Sequence, residues 1–256
     1  MKVVILAGGL GTRLGERSVD IPKPMVPIGG KPILWHIMRI YAHYGFTDFV
    51  LCLGYKGEMI KDYFLHYQAR SGDCTVDLGT GRITYHHDGR PDWSVTLADT
   101  GRDTLKGARL KRIEPYLSDE TNLLTYGDGV ADVDIPALIA HHQKMGRMVT
   151  LTGVAPPARF GALSVEGDRL TAYEEKGQAR EGLINGGFMV FEKELLTHLS
   201  ADEGCDLEYG AFEKLAQEGQ ITVYRHPGRW ACMDHERDVA HLESLWRSGK
   251  AFWKVW

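Results

Sequence analysis

The fold is decided by the opening stretch Lys2-Val3-Val4-Ile5-Leu6-Ala7-Gly8-Gly9-Leu10-Gly11-Thr12-Arg13 together with the later segment Pro22-Lys23-Pro24-Met25. A short apolar run that ends in glycines is typical of a buried strand in a parallel sheet. Glycines at the carboxyl end of such a strand let backbone N–H groups approach an anion closely. Arg13 and Lys23 add two positive charges to this loop. The segment therefore predicts a phosphate-binding site, against the simpler alternative of a tight turn with incidental basic residues.

Two better-known glycine motifs do not match this loop. The dinucleotide fingerprint Gly-x-Gly-x-x-Gly, counted from Gly9, reaches Leu14 where the third glycine should stand. The Walker motif ends in Gly-Lys-Ser/Thr, but Gly30-Lys31 is followed by Pro32, which has no hydroxyl for magnesium. The missing glycine and the basic residues that follow disfavour a nicotinamide dehydrogenase.

Composition and charge exclude several classes of protein. The chain has 256 residues, of which 43% are hydrophobic and 25% charged, so it can bury a full core. The formal net charge is −4 and the sequence has no basic run, so its charge pattern does not indicate a nucleic-acid-binding protein. No apolar run approaches the roughly 20 residues that cross a bilayer, and the residues before the first predicted strand show no n-region or small-residue cleavage site. We expect a soluble, cytoplasmic protein with a small phosphate ligand and neither nucleic-acid nor membrane partners.

Strand and helix signals alternate over the first two thirds of the chain, which predicts an α/β fold. We expect a Rossmann-like, mixed but mostly parallel sheet flanked by helices, with a smaller second lobe. Residues 1–256 would form a single domain, with a first half at about 1–155, an insertion at about 75–110 and a second half at about 156–256. The predicted elements include strands at 49–53, 122–126, 148–154 and 183–191, helices at 135–145 and 238–247, and a hairpin at 161–173.

Two aspartates are candidate metal ligands. Phosphate ligands often bind together with a cation, and Mg²⁺ is usually held by one or two carboxylates plus substrate phosphates. Asp128 follows a predicted strand and lies between Gly127 and Gly129, at the sheet edge where open α/β folds bind ligands. Asp234 precedes the last predicted helix, where it could equally be a structural N-cap. From the residues alone, these two interpretations of Asp234 remain open.

The opening motif, with Lys23-Pro24-Met25, resembles the signature of the sugar-phosphate nucleotidylyltransferases. Later blocks are similar to the glucose-1-phosphate cytidylyltransferases, the branch that uses CTP, and the similarity extends over nearly the whole chain. These blocks are Gly29 to Met38, Gly54 to Gly57, Thr125 to Asp132, Phe160 to Leu163 and Ile184 to Phe188. The resemblance implies that Asp128 and Asp234 both bind Mg²⁺.

The resemblance also implies a role for each part of the site. It implies transfer of a cytidylyl group from CTP to α-D-glucose 1-phosphate, with the first half binding the nucleotide and the second the sugar. Arg13, Lys23 and Asp128 would be catalytic. Nucleotide contacts would come from Leu6, Ala7, Gly8, Gly9, Leu10, Gly11, Thr12, Arg13, Lys23, Thr104, Arg109 and Gly127. Sugar-phosphate contacts would come from Lys176, Asn185, Gly186 and Glu208.

The resemblance also implies a homo-oligomer, because members of this family form oligomers, and a hexamer is one form to expect. Thr104 and Arg109 would then contact CTP across an interface. The chain departs from the family pattern at Lys176-Gly177, where proline normally follows the lysine, and at Glu203 to Tyr209, which lacks a tryptophan-containing pattern. Both departures lie in the sugar-binding half, so the identity of the sugar substrate remains open. The alternatives are a nucleotidylyltransferase that uses UTP, dTTP or another sugar phosphate, and a non-catalytic sugar-nucleotide binding protein.

Overall fold

The computed structural model describes residues 1–15, 20–87, 89–156, 162–166, 169–174 and 182–256. Its helices are α1 (Ile33–His43), α2 (Gly57–Leu65), α3 (Tyr67–Ser71), α4 (Lys106–Arg112), α5 (Ile135–Met145), α6 (Glu213–Gln217) and α7 (Glu236–Arg247). Its first strands are β1 (Val3–Leu6), β2 (Pro27–Ile28), β3 (Lys31–Pro32), β4 (Asp48–Leu53), β5 (Cys74–Val76), β6 (Ile83–Tyr85), β7 (Ser94–Asp99) and β8 (Thr121–Tyr126). The later strands are β9 (Gly129–Ala131), β10 (Val149–Val154), β11 (Ala162–Glu166), β12 (Arg169–Glu174), β13 (Ile184–Asn185), β14 (Met189–Glu192), β15 (Ile221–Arg225) and β16 (Trp230–Cys232).

The central sheet is mixed but mostly parallel, as the sequence predicts. β1 pairs in parallel with β4 on one side and with β8 on the other, and β4 pairs in parallel with β7. β14 joins β8 in the antiparallel sense and connects the sheet to β10, which pairs in parallel with β15. Because β1, β4 and β8 run in the same direction, their carboxyl ends meet at one edge of the sheet. That edge positions the site.

Both faces of the sheet are buried, and this explains the continuous apolar run of β1. Val3 and Ile5 pack into one core with α1 and α5, whereas Val4 and Leu6 pack into a second core with α4 and α6. Successive side chains of a strand point to opposite faces, so a strand between two layers of helices needs apolar residues at every position. The prediction of a buried parallel strand is confirmed.

The structure differs from the sequence prediction in two strands. Residues 94–99, which were predicted to lie within an insertion, form β7 of the central sheet, while β5 and β6 form a separate hairpin. The predicted strand at 183–191 is broken into β13 and β14, because Gly187 and Phe188 have φ angles of +84° and +27°. Both pieces pair with β10 in the antiparallel sense, so the break interrupts one strand of the sheet beside Asn185.

The C-terminal tail packs against the body of the molecule. Trp253 is 1% exposed and lies against His36 of α1, to which its indole Nε1 donates a hydrogen bond of 3.3 Å. Glu243 of α7 accepts a hydrogen bond of 2.7 Å from the backbone N–H of Gly29, in the turn between β2 and β3. These contacts hold α7, and therefore the residues just before it, against the first third of the chain. Within the described ranges, none of the helices combines the length and apolar character that a bilayer span requires.

Candidate active site

A cleft of about 650 Å³ opens at the carboxyl edge of β1 and β8. Its walls come from the glycine loop after β1, the loop before α4, and the residues that follow β8 and β16. The predicted residues that line it are Leu6, Ala7, Gly8, Gly9, Leu10, Gly11, Thr12, Arg13, Lys23, Thr104, Arg109, Gly127, Asp128, Asn185, Glu208 and Asp234. The structure thus brings together nearly all of the residues that the sequence assigned to one site.

A two-stranded ladder brings the two aspartates to the same place. β9 pairs with β16 in the antiparallel sense, with Gly129 opposite Cys232. Asp128 directly precedes β9 and Asp234 closely follows β16, so the ladder places both at one end. The backbone N–H of Met233 donates a hydrogen bond of 2.9 Å to the carbonyl oxygen of Asp128 and fixes this register.

Lys23 lies between the two carboxylates. Its Nζ is 2.5 Å from Asp128 Oδ2 and 2.6 Å from Asp234 Oδ1, and the residue is 8% exposed. Burial alone disfavours the ammonium form, but the charges and hydrogen bonds of the two aspartates outweigh it, so the pKa of Lys23 is raised above its usual value. For Asp234, burial is likewise outweighed by Lys23 and Arg13, and the pKa of its carboxyl is lowered. Lys23 and Asp234 therefore both keep their charges at neutral pH.

Arg13 is the exposed member of this cluster. Its NH1 lies 2.8 Å from Asp234 Oδ2, so Arg13 and Lys23 bind different oxygens of one carboxylate. The Arg13 side chain is 67% exposed, whereas that of Lys23 is 10% exposed. The turn that carries Arg13 is held by the buried Leu14, whose backbone N–H bonds the carbonyl of Gly11 at 3.0 Å. Arg13 is therefore free to exchange its carboxylate for an anion that enters the cleft.

The structure answers the open question about Asp234, because its carboxylate is not the helix cap. The N-cap of α7 is His235, and the carboxylate of Asp238 accepts hydrogen bonds from the backbone N–H groups of His235 (2.8 Å) and Asp234 (3.0 Å). His235 and Asp238 therefore cap the helix. The Asp234 side chain is left to face Lys23 and Arg13.

The two aspartates fit a hard divalent cation. One oxygen of each carboxylate faces the same point, where the positively charged Lys23 Nζ now lies. The distances from Nζ are 2.5 Å to Asp128 Oδ2 and 2.6 Å to Asp234 Oδ1. Mg²⁺ prefers oxygen ligands and usually takes one or two carboxylates with substrate phosphates and water. Among the described residues, no group of three or more His, Cys, Asp and Glu side chains converges to hold a metal ion by itself. The donor set therefore fits an ion shared with a phosphate-bearing substrate.

The glycine loop is fixed by a buried arginine. Arg109 is 4% exposed, and its NH2 donates to the carbonyl of Gly8 at 3.0 Å while its NH1 donates to that of Leu53 at 3.0 Å. A Cβ added at Gly8 would lie 2.3 Å from Arg109 NH1, and one added at Gly54 would lie 2.4 Å from it. Glycine is needed at both positions because the guanidinium passes between two backbone segments. Arg109 thus binds carbonyls of its own chain.

Thr104 is held in the same wall. It is 4% exposed, and its hydroxyl accepts a hydrogen bond of 2.9 Å from Arg112 NH1, which also donates to the carbonyl of Thr100. The sequence-based expectation placed Thr104 and Arg109 at a neighbour's nucleotide across an interface. In the structure both line the cleft of their own chain, because α4 packs behind the glycine loop. The contact across an interface stays a prediction.

The predicted sugar residues are distributed unevenly around the cleft. Asn185 and Glu208 line it, whereas Gly186 is buried beside it and accepts a hydrogen bond of 2.8 Å from the Trp230 indole through its carbonyl. A Cβ at Gly186 would lie 2.7 Å from Val154 Cγ1, so only glycine fits at this position. Lys176 lies outside the described residues, and its predicted contact stays a prediction.

Several cleft residues were missed by sequence reasoning, namely Lys106, Tyr126, Trp230 and Cys232. Tyr126 ends β8 two residues before Asp128, and that position was the signal that could have identified it. Burial raises the pKa of the Cys232 thiol to about 12, and the neighbouring Asp234 acts in the same direction. The thiol is therefore protonated at neutral pH and is no ready nucleophile.

Comparison with known proteins agrees with this geometry. A profile of the Nucleotidyl transferase family matches residues 2–252. The chain belongs to this family, so the resemblance seen in the sequence is confirmed. It is 47% identical to the glucose-1-phosphate cytidylyltransferase of Salmonella typhi and 44% identical to a probable glucose-1-phosphate cytidylyltransferase of Bacillus subtilis, in both cases over 100% of each chain. It is 31% identical to a D-glycero-alpha-D-manno-heptose 1-phosphate guanylyltransferase of Campylobacter jejuni, over 85% of this chain and 86% of that one.

Solved structures support the fold. A putative glucose-1-phosphate thymidylyltransferase from Bacillus anthracis aligns with a TM-score of 0.68 over 98% of both chains, at 18% identity. The inositol-1-phosphate CTP transferase from T. maritima aligns with a TM-score of 0.64 over 97% of this chain and 96% of that one, also at 18% identity. At this identity the likeness concerns the fold alone, and it agrees with the Rossmann-like sheet that the sequence predicted.

Proposed function

We propose that this protein transfers a cytidylyl group from CTP to α-D-glucose 1-phosphate and gives CDP-glucose and pyrophosphate. The observation that carries this proposal is the convergence of Lys23, Asp128 and Asp234 beside the glycine loop, in one cleft. That arrangement suits a reaction between two anions. The choice of cytosine and glucose rests on relatives with 44% and 47% identity along their full lengths.

The reaction is a single in-line displacement. A phosphate oxygen of the sugar phosphate attacks the α-phosphorus of CTP, that P–O bond forms, and the bond to the leaving pyrophosphate breaks. Lys23 and Arg13 exchange their carboxylate partners for triphosphate oxygens and stabilise charge as the phosphorus becomes five-coordinate. The displacement forms no covalent enzyme intermediate.

Asp128 and Asp234 would hold the divalent cation, and we assign Mg²⁺ to them. Enzymes of this family generally use a divalent metal. Such an ion, when bound, would neutralise phosphates that otherwise repel one another. The contribution of this chain is to bring two carboxylates together through the β9–β16 ladder and to keep Asp234 ionised through Lys23 and Arg13.

The glycine loop would receive the nucleotide through its backbone. Residues Leu6 to Thr12 line the cleft together with Gly127, where a Cβ would lie 3.0 Å from the carbonyl oxygen of Leu6. Thr104 would contact CTP from the wall before α4. Arg109 would act from behind the loop, since its guanidinium already binds the carbonyls of Gly8 and Leu53.

The sugar phosphate would lie along Asn185 and Glu208, with the buried Gly186 supporting Trp230. Lys176 stays our prediction for the residue that binds its phosphate. A homo-oligomer, with a hexamer as one form to expect, also stays a prediction from the family resemblance. A cytoplasmic location stays a prediction from the sequence.

A substrate panel tests the proposed function. Pyrophosphate release is measured with CTP, UTP, dTTP and GTP against glucose 1-phosphate and its epimers, with Mg²⁺ present and with the metal chelated. The proposal requires CTP with glucose 1-phosphate and Mg²⁺ to give the highest kcat/KM. A strong preference for UTP, or release that does not depend on the metal, would refute it. The D128N protein provides the background rate.

A further inference from the structure

Both oxygens of the Asp234 carboxylate are already bound by cations of the protein itself. Lys23 Nζ lies 2.6 Å from Oδ1, and Arg13 NH1 lies 2.8 Å from Oδ2. Lys23 Nζ also lies 2.5 Å from Oδ2 of Asp128. A divalent cation bound to these carboxylates would lie a few ångströms from both cations, and like charges at that distance repel one another strongly. The arrangement of Lys23 and Arg13 therefore opposes the metal ion that the two aspartates fit.

Lys23 opposes the metal ion more strongly than Arg13 does. The Lys23 side chain is 10% exposed and contacts both aspartates, whereas the Arg13 side chain is 67% exposed and contacts only Asp234. Water and salt screen an exposed charge well and a buried charge poorly. The positive charge that competes with a metal ion at this point is therefore mainly that of Lys23.

The backbone around Lys23 is fixed, so only its side chain is able to leave the carboxylates. Pro22 and Pro24 flank it, and the turn is closed by hydrogen bonds from Met25 N–H to the Pro22 carbonyl (2.8 Å) and from Val26 N–H to the Lys23 carbonyl (3.2 Å). A lysine ammonium is a compact charge on a flexible four-carbon stem. Lys23 lines the cleft, so its ammonium group has open space beside it.

A triphosphate supplies the acceptor that Lys23 needs in order to leave. Phosphate oxygens that enter the cleft would accept charge-assisted hydrogen bonds from its ammonium group, as the carboxylates do now. A metal ion without a nucleotide would have to displace the same ammonium group while offering it no new partner. Nucleotide binding therefore removes the competing cation and uncovers the carboxylates in one step.

We propose that Lys23 is an internal counter-cation that keeps Asp128 and Asp234 from binding a divalent metal until a triphosphate takes over its ammonium group. The inference rests on the proposed function and adds a coupling between the two ligands, which is reciprocal for binding free energies. It concerns binding before any reaction, and so it is separate from the stabilisation of charge at the α-phosphorus. It requires that an uncharged residue at position 23 lets the metal bind without the nucleotide.

The test measures Mn²⁺ binding by electron paramagnetic resonance in the absence of any nucleotide. The proteins are wild type, K23M, K23Q and the charge-conserving K23R. We expect K23M and K23Q to bind Mn²⁺ about 10- to 100-fold more tightly than wild type, because a competing charge a few ångströms away is removed. K23R should bind as weakly as wild type. Thermal unfolding with and without Mn²⁺ checks folding, and the ion should raise the midpoint more in K23M than in wild type.

Two further variants serve as controls. R13M removes the exposed cation from the same carboxylate. K106M removes a cation that lines the same cleft but pairs with Glu208, at 2.6 Å, and its side chain is 41% exposed. Each should change Mn²⁺ affinity by less than about threefold, because exposed charges interact weakly. These variants separate the contact of Lys23 from the net charge of the cleft.

A second titration measures the coupling itself. It is repeated with saturating CTP and no sugar phosphate, so that no turnover occurs, and Mn²⁺ bound by CTP alone is measured without protein. CTP should tighten Mn²⁺ binding to the wild type by a factor that falls at least about tenfold in K23M, since the competing charge is already absent there.

The results that would overturn the inference are distinct. If K23M and K23Q bind Mn²⁺ alone no more tightly than wild type, Lys23 does not compete with the metal. Equal tightening in K106M would reduce the effect to net charge and is also contrary. Failure of both uncharged variants to fold even with Mn²⁺ present contradicts the inference as well, because the ion should replace the lost charge.

Failure of the proposed function shows in other proteins and other measurements. Unchanged Mn²⁺ affinity in D128N and D234N would show that the metal binds elsewhere, whatever K23M does. A preference of the wild type for another nucleotide would appear in the substrate panel. In that case the coupling is measured with the preferred nucleotide.

Discussion

Lys23 and Asp234 lie 211 residues apart in the chain, yet Lys23 Nζ is 2.6 Å from Asp234 Oδ1. This pair joins the loop after β1 to the segment that leads into α7. It depends on the packing of α7 against the Gly29 turn and on the β9–β16 ladder. The first and last parts of the chain therefore meet at the proposed reaction centre.

Removing either cation from the cluster should slow the reaction. We expect K23A or R13A to lower turnover by roughly 10²–10³, or about 3–4 kcal/mol of transition-state stabilisation. The reason is that each cation would bind triphosphate oxygens as negative charge develops. Pyrophosphate release at saturating substrates, with thermal unfolding to check that the variants fold, measures the effect. Near-normal turnover in a folded K23A protein would exclude the role given to Lys23.

Neutralising the first aspartate should separate activity from folding. D128N keeps the size of the side chain and removes its charge, so metal-dependent activity should be lost while the circular dichroism spectrum and the thermal midpoint stay close to those of wild type. D132N is the matched control, because Asp132 lies outside the cleft and bonds His226 at 3.0 Å and the backbone N–H of Arg229. Pyrophosphate release by D128N at the wild-type rate would contradict the assignment.

The glycine loop offers a paired test of close packing. G8A places a Cβ 2.3 Å from Arg109 NH1 and 2.9 Å from the backbone nitrogen of Gly54, whereas G9A meets nothing within 4 Å. We expect G8A to lower the free energy of unfolding by about 1–3 kcal/mol, as overpacking does, and to raise KM for CTP. Urea denaturation compares the two variants. Equal stability of G8A and G9A would mean that the Arg109 contact does not fix the loop.

The buried His36 should make stability depend on pH. Its Nδ1 accepts from the Trp253 indole, its Nε2–H donates to the carbonyl of Ile28, and burial lowers its pKa to about 4. The unfolded chain binds a proton at this histidine below pH 6.5, so the free energy of unfolding should fall as the pH decreases from 6.5 towards 4. The loss from this group is up to about 3 kcal/mol over that window.

The measurement for this prediction is urea denaturation between pH 4 and pH 8 for wild type and H36Q. Since glutamine does not titrate, the H36Q curve should be flatter between pH 4 and pH 6.5, while both proteins share the contributions of other groups. Parallel curves would show that His36 is not buried in its neutral form.

Local sequence patterns correctly predicted the elements that are determined by residues adjacent to one another in the sequence. The apolar run of β1, the helix at Ile135–Met145 and the position of Asp128 after a strand are of this kind. The role of Asp234 could not be decided locally, because capping of α7 moves by one residue to His235 and Asp238. Only the resemblance to a known family favoured the metal-binding interpretation, and the side-chain geometry agrees with it.

The remaining differences come from tertiary structure. β7 looked like part of an insertion because short alternating segments precede it, and only its pairing with β4 makes it a sheet strand. The break between β13 and β14 needs a positive φ at Phe188, which residue type does not predict. The ion pair of Lys106 and Glu208 joins residues that are distant in sequence, and no local pattern connects them.

Metal binding to the two aspartates is the most direct test of the central claim. Mn²⁺, as a spectroscopic substitute for Mg²⁺, is titrated into wild type, D128N and D234N in the presence of CTP, and bound ion is measured by electron paramagnetic resonance. The account predicts one protein-dependent Mn²⁺ site in wild type and its weakening by at least about tenfold in each variant, because each loses one carboxylate ligand. Unchanged Mn²⁺ affinity in both variants would contradict the account.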